Sequence, residues 1–377
     1  MSNFQSLFPE LQKRLQNECV REFTADTDTL IGVPYPYITP GAQHQDGLYY
    51  WDTYFINLAL LKFRMIDQAR HNVENLIFLL RKFGYVPASN LKSKIDYSQM
   101  PLLPWMVRDV YRATGDKEWL SRMLPEVIKE YNWWTTKPHT SPVGLFRFKA
   151  ETDDDHSELE SCWVRSSRFD AVQNYNPVDL NALLYRNAEL INDLQFEVDG
   201  ESEKSFKQKS KQIKNLLETC WDEKTGFYFD NNFTEKKLSR VKSLAGFMPL
   251  FVKMVDEERA AALQKNLSDF IAPGGITITD QAYDDQESPW NYPLVCAPYV
   301  FFVTKALADH EYMEDAADIG ANWLQMVYDV YQETGELWEW YNVQERSNAS
   351  PKALQNTPVL GWTAGAYVAL VDTLGLA

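Results

Sequence analysis

Cysteine and histidine are scarce, with 4 and 5 in 377 residues. Cys19, Cys162, Cys220 and Cys296 are scattered without a CxxC pair, which excludes a zinc ribbon or a disulfide framework and fits a reducing compartment. His44, His71, His139, His156 and His310 show no HxxxH spacing, so no metal and no cofactor is implied. No run reaches the roughly 18 apolar residues of a membrane span, so no membrane partner is expected. The first twenty residues lack the basic start and apolar core of a signal peptide and read as an amphipathic helix, giving a cytoplasmic expectation. Basic residues are in deficit, 37 against 53 acidic, for a net charge of -16. That balance excludes nucleic acid as a partner and points to neutral or cationic small molecules. Proline-rich linkers, low-complexity runs and βαβ alternation are also missing, so residues 1–377 are expected to form a single domain.

What is present is helix-period apolar patterning from end to end. One pair covers 53–66 and 68–83, the second with a stripe of Val73, Leu76, Ile77, Leu80 and Phe83, a cap at Asp67 and a stop at Gly84. Further segments cover 101–114, 117–134, 178–194, 203–220, 243–255, 257–270, 293–308, 312–332 and 361–374. With the N-terminal helix this makes about a dozen, the number that six stacked helical hairpins need. The stretches 143–148 and 226–230 read as small hairpins. An acidic run at 151–160 reads either as a solvated loop or as an acid cluster at a pocket rim.

Aromatics form 14% of the chain, and many stand at loop–helix junctions beside carboxylates: Tyr49, Trp51, Trp163, Trp290, Trp338, Tyr341 and Trp362 among them. Rings that stack on sugar C–H faces and acids that bind hydroxyls make up a carbohydrate pocket; the plain alternative is core packing.

Eight blocks then carry a family resemblance. GLYYWDTYFINLALL (47–61) resembles the trehalase signature around YYWDSYF. GYVPASN and YSQMP (84–101) resemble GHIPNGN and RSQPP, and ESCWVRSSRF (160–169) resembles SGWDFSSRW, followed by NPVDLN (176–181). PGGITIT (273–279), SPWNYPLVCAP (288–298), WEWYNV (338–343) and GWTAGAYVAL (361–370) are similar, in order, to the family's PGG, QWDxPNGWAP, VEKYNV and GWTNGV blocks. The resemblance is to glycoside hydrolase family 37, with family 63 a related second. It implies an all-α (α/α)6 barrel with the pocket at one end and an inverting reaction using two carboxyl groups. Glu339 falls on the base position. The acid position holds Val164, which cannot transfer a proton. Tyr97 replaces an arginine, Ala88 an asparagine, Asn291 an acid, and segments 42–46 and 347–358 depart entirely. Trp51, Asp52, Gln99, Arg168, Asp179, Trp290 and Trp362 are kept.

The expected reaction is therefore hydrolysis of a small glycoside other than trehalose, or turnover of another neutral ligand. Expected catalytic residues are Glu339 with Asp154, Asp155 or Tyr97, and Asp153, His156, Asp96 and His44 are further candidate proton donors. Expected substrate-binding residues are Trp51, Asp52, Gln99, Trp163, Arg168, Trp290, Asn291, Tyr341 and Trp362. Asp52 reads equally as a ligand to a sugar hydroxyl and as a cap for a helix from Thr53. Arg168 reads as a partner of Glu160 or Asp170, or of a ligand anion. Cys162 reads mainly as an inert buried thiol. A substrate with a good leaving group needs no acid at all, and a lyase, an isomerase or a non-catalytic sugar binder stays open. A hydrolase predicts a second carboxyl facing Glu339; a lyase predicts a single acid in an apolar pocket; a binder predicts Glu339 paired off or occluded.

Overall fold

One-sided and all-round apolar helices alternate along the chain, and this alternation decides the architecture. The computed structural model describes residues 3–41, 44, 46–149, 154–201, 204–284, 287–350 and 354–376, with backbone alone for 154–157. Among them are thirteen α-helices: α1 (Phe8–Asn17), α2 (Tyr50–Lys62), α3 (Ile66–Phe83), α4 (Leu103–Thr114), α5 (Lys117–Trp134), α6 (Asp154–Ser161), α7 (Val178–Asp199), α8 (Lys204–Leu217), α9 (Met248–Phe251), α10 (Glu257–Asn266), α11 (Ala297–Asp309), α12 (Met313–Thr334) and α13 (Gly361–Thr373).

Helices α2, α11 and α13 are buried on nearly every side, so they must lie inside others. They form an inner ring with α4, α7 and α9, in which α2 packs on α4, α4 on α7, α7 on α9, α9 on α11, α11 on α13 and α13 on α2. The amphipathic α3, α5, α8 and α12 lean on that ring from outside, α1 packs on α13, and α10 joins α12 through Gln264 and Asp315. Inner and outer helices alternate in chain order, which is the (α/α)6 barrel. The ring is closed by α2 against α13, where a Cβ on Gly365 would meet the Phe55 carbonyl carbon and oxygen at 2.3 and 2.1 Å. In an ordinary helix Gly→Ala stabilises. Here Gly365→Ala is expected to destabilise by about 1–3 kcal/mol, read as a lower midpoint in urea.

Among the described residues, aromatic rings fill the middle of the barrel. Trp51, Phe55, Phe251, Phe302 and Trp105 stack across its middle, with Trp51–Phe302 at 5.9 Å, Phe55–Phe302 at 5.6 Å, Phe251–Phe302 at 4.7 Å and Trp105–Phe251 at 5.2 Å between ring centroids. This plug separates two mouths.

Several local expectations shift. The stripe of α3 is buried at Val73, Leu76, Ile77 and Leu80, and Gly84 ends the helix at φ +88°. Asp67, however, sits inside the first turn and caps nothing; Met65 is the N-cap, and the carboxylate acts only on the helix dipole. Asp116 and Asp256 are true caps, accepting from the N–H groups of Trp119 and Arg259. Segment 243–255 is largely a 3-10 turn followed by the single turn of α9, ending where Lys253 takes a positive φ. Segment 257–270 is α-helical to Asn266 and closes with a 3-10 turn, Leu267–Asp269. Segment 293–308 begins as a strand, Leu294–Cys296, before α11 starts. The small hairpins occur, one through the Thr140–Phe146 bridge and one through Trp221–Asp222 paired with Phe227–Tyr228.

Candidate active site

The first turns of α2 and α13 open on one mouth of the barrel, where Asp52 and Trp362 line a cavity of about 290 Å³. Its walls come from chain segments far apart in sequence: Tyr49 and Asp52, then Lys94, Tyr97 and Gln99, then Cys162 and Val164, then Trp290, and finally Glu339.

Glu339 is delivered by a strand pair. Leu294–Cys296 runs antiparallel to Trp340–Asn342, with Val295 opposite Tyr341. The backbone around Glu339 is pinned further: its N–H donates to Thr357 O at 2.9 Å, the Trp338 N–H donates to the Tyr341 hydroxyl at 3.1 Å, and Trp338 O accepts from Thr363 Oγ1 at 2.8 Å. Among the described residues the Glu339 carboxyl has no hydrogen-bond partner. Burial raises its pKa to about 7, against an opposing pull from Lys94.

Asp52 does not cap α2. Tyr49 is the N-cap, the helix starts at Tyr50, and the Trp51 N–H donates instead to Gln99 Oε1 at 2.9 Å. The Asp52 side chain, in a residue only 6% exposed, lines the cavity, and its pKa is pushed up to about 8, first by burial and then by the charge of Glu339. Two carboxyl groups that feel one another thus share one cavity, each held toward its neutral form.

Around them, Trp290 and Trp362 line the wall, and the Trp362 indole N–H has no partner among the described residues. The His44 Nδ1 is likewise buried without a partner, and burial together with Lys94 lowers the imidazole pKa to about 4, so it is neutral near pH 7. Burial pushes the Cys162 thiol and the Tyr97 phenol each to about 12, which keeps both protonated. Cys162 is therefore no thiolate nucleophile. Lys94, which nothing in the sequence singled out, is the cavity's charged amine; it lies 5.7 Å from the Tyr49 ring centroid.

Other expected binding residues stand behind the wall rather than on it. The Trp51 ring belongs to the aromatic plug. The Trp163 indole N–H donates to the Tyr299 hydroxyl at 2.9 Å, and Tyr341 is fully buried beneath Glu339. Asn291 Oδ1 accepts from the Ser167 N–H and hydroxyl at 2.9 and 2.8 Å, holding the 166–168 turn. Arg168 does not reach Glu160, which takes His139 and the Lys149 N–H, and it does not line the cavity. It is bidentate to Asp179 at 2.7 and 2.8 Å and to Asp230 at 2.7 and 2.8 Å, all buried. Replacing it by leucine strands two buried carboxylates, and Arg168→Leu is expected to cost about 3–5 kcal/mol, measured by urea unfolding. Asp96 is exposed and away from the cavity wall. Asp154 and Asp155 open α6, but their side chains, like that of His156 and the whole of Asp153, lie outside the described residues.

Comparison with known proteins agrees with this arrangement. The trehalase family model matches residues 1–153 and 145–375. A probable trehalase of Oryza sativa is 26% identical over 93% of this chain and 74% of its own, and a periplasmic trehalase of Escherichia coli is 25% identical over 98% and 73%. The neutral trehalase Nth1 of Saccharomyces cerevisiae superposes with a TM-score of 0.81 at 21% identity, over 92% of this chain and 77% of that one. The family 63 mannosylglycerate hydrolase of Thermus thermophilus superposes at 0.74 and 17%, over 97% and 100%. With an (α/α)6 barrel, a carboxyl-bearing cavity at one mouth and a family match along nearly its whole length, the chain belongs to the trehalase family of glycoside hydrolases.

Proposed function

We propose that the protein hydrolyses a small glycoside other than trehalose with inversion, Glu339 acting as general base on water and Asp52 as the proton donor that Val164 cannot be. The carrying observation is the pair of carboxyls lining one cavity, both raised by burial, with Asp52 raised further by the charge of Glu339 and Glu339 pulled back by Lys94, so that Glu339 is the one favoured to ionise and Asp52 the one favoured to keep its proton. A general acid works best with a pKa near the operating pH, which favours Asp52 over the Tyr97 phenol at about 12. Glu339 would take a proton from water as the water attacks the anomeric carbon. Asp52 would give its proton to the departing glycosidic oxygen, and the two groups would exchange protons with solvent before the next cycle.

A substrate other than trehalose is supported by the wall itself. No arginine lines the cavity among the described residues, and Val164 and Tyr97 stand where the resemblance implies an aspartate and an arginine. Four free thiols accord with the cytoplasm as the working compartment.

The test is turnover of a panel of aryl glycosides and natural disaccharides including trehalose, with the first-formed anomer read by proton NMR. Turnover of a non-trehalose glycoside with inverted product supports the reading; trehalose as the preferred substrate, or a retained anomer, contradicts it.

A further inference from the structure

At the opposite mouth, beyond the aromatic plug, lies a second cavity of about 470 Å³, within the size range of small-molecule sites. Five cationic side chains line it, Arg108, Arg112, Arg186, Lys253 and Lys305, against two carboxylates, Asp109 and Asp309. This is an excess of positive charge on a chain of net charge -16.

Both carboxylates are already satisfied. Asp109 takes Arg108 at 2.7 Å, and Asp309 takes Lys305 at 2.7 Å with Lys253 at 3.5 Å. Neither Arg112 nor Arg186 makes an ion pair or hydrogen bond with a carboxylate among the described residues, although the charge of Arg112 acts on Asp109 from further away. The inner helices end at this mouth, and the negative end of a helix dipole accounts for a cation in its last turn, as Arg112 is for α4. Arg186 is not explained that way: it lies in the middle of α7, where every carbonyl is already bonded within the helix. Tyr54, Leu58 and Phe301 supply an apolar wall to the same cavity.

We infer that this mouth binds a small organic phosphate, its phosphate held between the Arg112 and Arg186 guanidinium groups with Lys253 beside them and its carbon skeleton against Leu58 and Phe301. Two guanidinium groups that line one cavity from different helices, neither bonded to a carboxylate, suit the several oxygens of a phosphate better than a single carboxylate. The glycosidase reading is not needed for this site, which shares no residue with the cavity around Glu339.

The test is calorimetric titration of the full chain with glycerol 3-phosphate, with glycerol as the neutral control, at two salt concentrations. The expected result is binding of glycerol 3-phosphate alone, weakened by salt and weakened about tenfold or more by Arg112→Gln and by Arg186→Gln. Arg112 is exposed, so its variant is expected to fold, with circular dichroism and thermal melting as the check. No binding to the wild type, or binding by both variants as tight as by the wild type, overturns the inference.

Discussion

Glu339→Gln is expected to lower kcat on the preferred glycoside by about 10²–10⁴-fold while leaving KM nearly unchanged. The glutamine keeps the side chain's size and its place between Trp338 and the strand Trp340–Asn342, but it cannot accept a proton from water. Because proton transfer occurs only in the transition state, the loss belongs in kcat. A fall confined to KM would show that Glu339 merely binds sugar. The same substitution removes a carboxyl with no hydrogen-bond partner, so folding should not suffer.

Asp52→Asn is the second large effect, and it separates two roles for one residue. If Asp52 donates the proton, the variant loses about 10²–10⁴-fold on alkyl glycosides but far less on nitrophenyl glycosides, whose leaving groups depart without help. If Asp52 only binds a hydroxyl, every leaving group suffers alike. Stability moves the opposite way. In the fold the Asp52 pKa is raised from 3.8 to about 8, so the native state holds a proton that the unfolded chain releases. That contribution is complete below the unfolded value and is lost as pH rises through the folded one. Asp52→Asn should therefore melt like the wild type at pH 4 and above it at pH 8, by about 5–7 °C. A gain in stability on removing a functional group is the expected signature of a site that holds an unfavourable charge.

The barrel was legible because about a dozen apolar segments follow one another with short loops between them, and an error in any single boundary leaves the alternation of inner and outer helices intact. The stripe of α3 and the stop at Gly84 needed only periodicity and a left-handed cap. Segment 243–255 misled because its apolar residues, Leu244 to Phe251, are buried on all sides, so periodicity cannot distinguish a tight turn from a helix. At the site, Glu339 could be picked out because WEWYNV has a family counterpart. The same blocks also contain residues that build the support, and sequence alone does not separate the two shells. Trp163, Arg168, Asn291 and Tyr341 therefore looked like ligand contacts, yet they hold the wall from behind. Asp52 was ambiguous for a local reason: a three-residue shift in the start of α2, from Thr53 back to Tyr50, turns a helix cap into a cavity wall. Lys94 escaped because a lysine between Ser93 and Ile95 carries no pattern, and only the fold brings it to the carboxyls.

The most direct test of the acid–base pair is the pH dependence of kcat/KM on the preferred glycoside for the wild type, Glu339→Gln and Asp52→Asn. Ionised Glu339 requires a pH above about 7 and protonated Asp52 a pH below about 8, which gives a narrow bell with its maximum between them. The acidic limb should vanish in Glu339→Gln, and the alkaline limb in Asp52→Asn assayed on a nitrophenyl glycoside. A wild-type alkaline limb that survives unchanged in Asp52→Asn would contradict the assignment of Asp52 as the acid.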